Sequence, residues 1–374
     1  MNYLLLASFS EIASFIGYIA IALLVLLLLI TVHEFGHYIT GKIFKFKIDE
    51  FAIGFGPKLF KKTKKDGEVF SVRLLPLGGF CAFNGEDEEV QDPNAFNNKK
   101  PWQRIIVLIA GALMNYITAV ILIIIMFSAY GSTAVVTYYV DGPTEQYQAE
   151  YSFEEKDVIV KAEGKNVYLS TDLMNVVFGK EKGDLVEFTI IRNRQKQKIN
   201  VMLRDHTHFD NVEDLERLHS ALGISFDKNA KGEIINSGLY ATGVKFGFFD
   251  TVGRSFEYSL KLAVTIFKIL GQLITGTLGI SSMGGTVTTV SVTATAIKVG
   301  GMRNLLNIAS FIGVNLAVFN LLPFPALDGS RVVFTTIEWI RGKPVNRRVE
   351  GIIHTIGFAL LLAFAVFVDL QRCF

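Results

Sequence analysis

The chain has 374 residues, half of them hydrophobic and only 19% charged, well below the charge content of ordinary soluble domains. Lys and Arg total 37 against 35 for Asp and Glu, and a net charge of +2 carries neither the basicity of a nucleic-acid binder nor the bias of a disordered chain. With only Cys81 and Cys373, a disulfide-stapled scaffold and a thiolate metal cluster are both excluded, so the chemistry must use histidines, carboxylates or hydroxyls.

The first apolar run, from about Ser14 to Thr40, is long enough to cross a hydrocarbon core of roughly 30 Å as a helix. It far exceeds a signal-peptide core, and no Lys or Arg precedes Lys42, so it reads as a span rather than a cleaved leader. Between Glu68 and Glu86 the sequence alternates in part and carries Pro76, Gly78 and Gly79, which suggests a hairpin. Further spans are expected over Ile105–Phe127, Leu305–Leu322 and Ile352–Val368. Ser255–Gly276, with Glu257, Lys261 and Lys268 at helical spacing, reads as an amphipathic helix on the outer surface.

Lys42, Lys45, Lys47, Lys58, Lys61, Lys62, Lys64 and Lys65 follow the first span, and Arg341, Lys343, Arg347 and Arg348 separate the last two. Cytoplasmic loops retain such residues, so both loops are expected inside. Both termini and the segment from about Gly131 to Gly300 are then expected outside.

Near the cytoplasmic end of the first span stands His33-Glu34-Phe35-Gly36-His37. A charged side chain at bilayer depth costs about 2.5–3.5 kcal/mol on the gentler insertion scales, so three titratable groups in five residues call for a partner, and a cation is the economical one. On a helix, residues i and i+4 lie about 6 Å apart along the axis and about 40° apart around it, so both imidazoles can reach one ion. Glu34 is then placed to work on water at that ion rather than to bind it.

A catalytic zinc usually takes a third protein ligand, which must lie at the same depth. The third span ends in Asn320-Leu321-Leu322-Pro323-Phe324-Pro325-Ala326-Leu327-Asp328-Gly329. Its prolines stop the helix and deliver Asp328 to the cytoplasmic third of the membrane. Asp328 could instead cap the helix beginning near Ser330, and His354 in the last span is a rival ligand. Irregular backbone at this depth implies a polar cavity, and an exposed strand edge beside it would hold an unwound substrate by main-chain bonds.

On these residues, together with Gly54-Phe55-Gly56-Pro57, Arg73 to Phe80 and Gly111 through Asn115, the sequence closely resembles the site-2 protease family of intramembrane zinc metalloproteases, in particular its bacterial branch. The resemblance implies zinc on His33, His37 and Asp328, with Glu34 as general base. It implies a substrate site shaped by Asn320, Pro323 and Pro325, and a membrane re-entrant β-hairpin around residues 70–83 with Leu77, Gly78 and Gly79 against the substrate. Residues 133–203 look like one PDZ domain, with strand, helix and hairpin over Asp157–Val167, Thr171–Phe178 and Val186–Arg204, and Asn193 in the hairpin turn. Leu222-Gly223-Ile224 reads as a strand after a turn more readily than as a carboxylate-binding loop.

The implied fold is an α-helical polytopic membrane protein with an inserted extracytoplasmic α+β PDZ domain, divided at 1–130, 131–235 and 236–374. Family substrates are single-span membrane proteins already trimmed by an upstream site-1-type protease, including anti-sigma factors and remnant signal peptides, and the implied location is the bacterial inner membrane. Two rival functions are a membrane-anchored metalloprotease cutting soluble peptides and a non-catalytic scaffold or metal transporter. Met283-Gly284-Gly285 and Ser330 depart from the branch's usual residues, and Cys81 and Cys373 are expected to be bystanders that do not bond to each other.

Overall fold

A computed structural model describes residues 9–86, 90–141, 151–208, 215–228, 234–236, 238–277 and 286–371; Met283-Gly284-Gly285 and Cys373 lie outside them. Two compact units are present, Ile124–Tyr258 and the remainder on either side of it in sequence.

Among the described residues of the chain, four helices are long and apolar enough to cross a membrane. They are α1 (Phe9–Ile43), α2 (Pro101–Tyr130), α6 (Thr286–Asn320) and α8 (Arg347–Gln371), the framework of a polytopic helical membrane protein. The third is longer than expected: α6 begins at Thr286 and passes through a kink at Gly301, whose φ of 55° and ψ of −139° leave the helical region. Its Thr- and Ser-rich first half lacks the continuous apolar character of its second half, which is why only the latter was legible as a span. Helix α5 (Phe248–Ile274) is not among the four; Ile266 on it clusters with Ala119, Val314 and Val318 of α2 and α6.

Two long strands follow α1, β1 (Ile48–Thr63) and β2 (Val69–Phe83). Residues 68–86 therefore do not fold back on themselves as a separate hairpin; Val69–Phe83 within them is one strand that pairs with β1. Phe51 pairs with both Cys81 and Phe70, and Ala52 with both Phe80 and Ser71, so the first half of β1 lies between two stretches of β2, while its second half pairs with Arg73 to Val69. The bend is made where Gly54 and Gly56 adopt φ of 86° and 84°, a region that side chains with a Cβ rarely enter. The sheet is anchored to the helices by a cluster of Phe46, Ile48, Phe83, Phe96, Val107 and Leu108.

Inside the sheet Glu50 accepts hydrogen bonds from Ser71 Oγ at 2.6 Å, Arg73 Nη2 at 2.8 Å and Lys58 Nζ at 2.9 Å. Burial alone would raise its pKa, but these donors outweigh it and hold the carboxyl at about 2.

The other unit is built on a sheet ordered β10-β3-β4-β6-β7, with β5 paired to β4. Its strands are β3 (Ser132–Thr137), β4 (Val158–Ala162), β5 (Lys165–Asn166), β6 (Leu185–Arg192), β7 (Gln195–Met202) and β10 (Leu239–Val244). Helices α3 (Ser170–Val177) and α4 (Leu215–Leu222) cover a core that includes Ile159, Leu173, Phe188 and Leu218. A small pair, β8 (Asp227–Lys228) and β9 (Ile234–Asn236), completes the unit. The β6–β7 hairpin turns at Asn193 and Arg194, both with positive φ as a two-residue turn of this kind requires. Gly223, at φ 67°, ends α4, and Ile224 makes a single bridge to Val140. The sheet extends past residue 235, because β10 pairs with β3 along its whole length, from Leu239 opposite Thr137 to Val244 opposite Ser132.

The Glu50 cluster should make the β1–β2 sheet sensitive to acid. A carboxyl whose pKa is depressed on folding contributes its stability above the unfolded value and loses it as pH falls toward the folded one, here between about 4.5 and about 2. Amide protection factors at residues 50–53 and 69–73 should fall through that window in the wild type, whereas Glu50→Gln should start lower and show no such step.

Candidate metal centre

His33 and His37 project from one face of α1, with Nε2 atoms 3.1 Å apart and rings nearly perpendicular at 83°. Asp328 Oδ2 lies 2.9 Å from His33 Nε2 and 3.3 Å from His37 Nε2. These three side chains form the metal-capable cluster found among the described residues. Each histidine is only 7% exposed. Asp328 does not cap a helix: Leu327 occupies the N-cap position of α7 (Asp328–Arg341), and Asp328 is its first residue with its carboxylate turned to the histidines. Gly329 is needed beside it, because a Cβ there would run into the carbonyl oxygens of Leu321 and Leu322.

Two imidazoles and a carboxylate are a donor set suited to a catalytic zinc, which keeps a further position open for water or substrate. The second ring nitrogen of His37 supports this fit: Nδ1 lies 2.8 Å from the Val107 carbonyl, so Nδ1 carries the proton and Nε2 is left as a lone-pair donor. Close helix packing makes the geometry possible. A Cβ on Gly36 would strike the Ala110 carbonyl, and one on Gly111 would lie 2.8 Å from His33 Cε1 and closer still to His37 Nε2.

Glu34 does not join the cluster. Its Oε2 accepts the backbone N–H of Cys81 in β2 at 3.1 Å, which ties it to the strand. A cavity of about 590 Å³ is lined by Glu34, His37, Cys81, Asp328, Arg331 and His354. The Cys81 contribution is its backbone amide rather than its thiol, and alternation along a strand gave no signal of that bond.

The remaining candidates divide. Asn320 Nδ2 lies 3.4 Å from His33 Nδ1. Gly79 is buried, with Glu34 Cγ 3.6 Å from where its Cβ would stand, and Gly78 faces the Phe55 ring. Leu77 lies in β2 by its backbone. Pro325 packs against Gly357 of α8, and Pro323 is exposed. His354, the rival ligand, is not in the cluster; its Nδ1 accepts the Ala326 N–H at 3.0 Å, where Ala326 adopts an unusual φ of 77°. Sequence reasoning named Asn115 only as the end of the Gly111–Asn115 stretch and gave it no role, yet it is fully buried on α2 with its Nδ2 3.5 Å from His33 Nδ1. A lone Asn in an apolar helix was the available signal. The ion pair of Arg331 with Glu86 was equally invisible, because it joins distant parts of the chain.

The model of peptidase family M50 matches residues 21–364. A Clostridium perfringens protein whose name is that of a zinc metalloprotease is 34% identical over 360 residues, spanning 95% of this chain and 98% of the relative. The regulator of sigma E protease of Haemophilus influenzae is 26% identical, over 95% of this chain and 98% of its own length. The zinc metalloprotease RasP of Bacillus licheniformis is 27% identical, over 92% and 97%. A helical membrane framework around a His, His, Asp cluster is thus that of a zinc metalloendopeptidase. The chain belongs to peptidase family M50, the site-2 proteases. This overturns the reading as a non-catalytic scaffold or transporter.

Gly111→Ala tests the packing. Inserting a methyl where no space exists typically costs about 1–3 kcal/mol and here displaces both imidazoles. The variant should keep its helical circular dichroism while losing most of its bound zinc; wild-type zinc content would contradict the geometry.

Proposed function

We propose that His33 Nε2, His37 Nε2 and the Asp328 carboxylate hold the zinc, that Glu34 is the general base, and that the enzyme cleaves transmembrane segments of single-span proteins. The observation that carries this reading is the convergence of the three donors within 4.8 Å of one another, beside Glu34 in a cavity. Bound zinc polarises a carbonyl and lowers the pKa of water toward about 7. Glu34 takes the proton of the attacking water on its carboxylate and delivers it to the leaving amine, a role its bond to the Cys81 amide orients. A peptide bond within an intact helix is shielded, so the substrate must unwind. The stretch of β2 from Leu77 to Phe83, with β1 forming a sheet that re-enters the membrane, offers main-chain groups to hold it extended, and Asn320, Pro323 and Pro325 shape the opposite side.

The loops rich in Lys and Arg lie in the cytoplasm of a bacterial cell, and the sheet-containing unit, read as a PDZ domain, lies outside the inner membrane as a size filter. Substrates are then stubs trimmed by a site-1-type protease, with anti-sigma factors and remnant signal peptides as the classes. The name of the H. influenzae relative supports the first class.

Purified protein in detergent, given a single-span model peptide, should cut within the apolar segment. Glu34→Gln should retain zinc and lose about 10²-fold or more in turnover, the usual weight of a general base. Asp328→Ala should lose zinc, and His354→Gln should keep it. Cleavage confined to residues outside the apolar segment would instead favour an anchored protease acting on soluble peptides. Deleting residues 133–204 should allow untrimmed substrates to be cut; an unchanged need for prior trimming would refute the filter.

A further inference from the structure

The geometry points to Asn115 as a positioning residue of the metal centre: its side-chain oxygen accepts the Nδ1 proton of His33 and thereby fixes the tautomer whose Nε2 can bind zinc. This rests on the assignment of His33 as a ligand. An imidazole that donates its Nε2 lone pair to a metal carries its proton on Nδ1, and that N–H needs an acceptor. His37 has one in the Val107 carbonyl. Among the described residues, two carboxamides lie at the same nitrogen of His33, Asn115 Nδ2 at 3.5 Å and Asn320 Nδ2 at 3.4 Å. Two N–H donors aimed at Nδ1 would hold it unprotonated, place the proton on Nε2 and block the metal.

Which carboxamide turns is decided by burial. Asn115 is fully buried and its Oδ1 has no hydrogen-bond partner, whereas Asn320 Oδ1 is not stranded in this way. A half-turn of the Asn115 amide exchanges its two ends, gives the orphaned oxygen a donor and gives His33 its acceptor. The Asn115 NH2 then takes the place the oxygen held. The backbone at this point of α2 is packed against α6, with the Asn115 carbonyl 3.4 Å from where a Cβ on Gly313 would stand. Asn320, relieved of His33, keeps its amide for substrate.

The test is zinc affinity, measured by chelator competition on the purified full-length protein in detergent. Asn115→Leu should weaken binding about 10–100-fold, the range found when the partner of a metal-bound histidine is removed. Asn115→Asp is of the same shape and, with or without a proton, always presents an acceptor oxygen, so it should bind zinc as tightly as wild type or more tightly. If Asn115→Leu fails to fold, Asn115→Asp decides alone. A loss of about tenfold or more in Asn115→Asp would show that the residue donates or merely packs, and would overturn the proposal, as would wild-type affinity in a folded Asn115→Leu. His33→Ala separates the two layers of argument: unchanged zinc affinity there would remove the ligand assignment itself, while lost affinity there with wild-type binding in Asn115→Leu would remove the role of Asn115 alone.

Discussion

Ionisable groups in a hydrocarbon environment must be satisfied by one another, because water is not there to do it. The centre of this protein is a solution to that constraint. Two imidazoles one helical turn apart on α1, both buried, meet a partly buried carboxylate from the start of α7. A divalent cation compensates such a set where hydrophobic packing could not. Neutral imidazoles and an ionised carboxylate also leave a zinc with net charge to polarise a substrate.

Much of the surrounding structure follows from bringing those groups together. Helices α1 and α2 approach so closely that Gly36 and Gly111 admit no side chain, which sets the imidazoles against the α2 backbone and gives His37 the Val107 carbonyl as its orienting acceptor. Helix α6 must stop before its end reaches the far side of the site, and the two prolines after Asn320 remove the amide donors that would continue it. The bent chain that follows is held by His354 from α8, which accepts the Ala326 amide at a residue with positive φ. His354 is therefore near the site for a reason other than ligation. On the remaining side, β2 contributes an amide to Glu34, so the sheet that is proposed to receive substrate is bonded to the group proposed to move its proton.

The parts of this arrangement legible in the sequence were those with a local signature. Apolar runs of sufficient length gave the four membrane helices, His33 to His37 gave two of the three residues of the metal cluster, and Asn193 between two alternating segments gave the β6–β7 hairpin. Asp328 was legible as a ligand candidate because few ionisable residues share the depth of the histidines, although local pattern alone allowed a helix cap or His354 instead. What was hidden depends on long-range pairing. Nothing in residues 68–86 says that they pair twice with β1, since the bend lies at Gly54 and Gly56, outside that stretch. β10 is short and mostly exposed, so it lacks the alternation that marks a half-buried strand, and only its pairing with β3 defines it. The first half of α6 is too polar to read as membrane-spanning by itself. Asn115 and the Cys81 amide act through single hydrogen bonds between elements, which leave no period in the sequence.

Zinc K-edge X-ray absorption on the purified protein tests the central assignment most directly. The account predicts a first shell of nitrogen and oxygen only, at about 2.0–2.2 Å, with the multiple-scattering signature of two imidazoles. A sulfur shell near 2.3 Å, or scattering from a single imidazole or none, would contradict it.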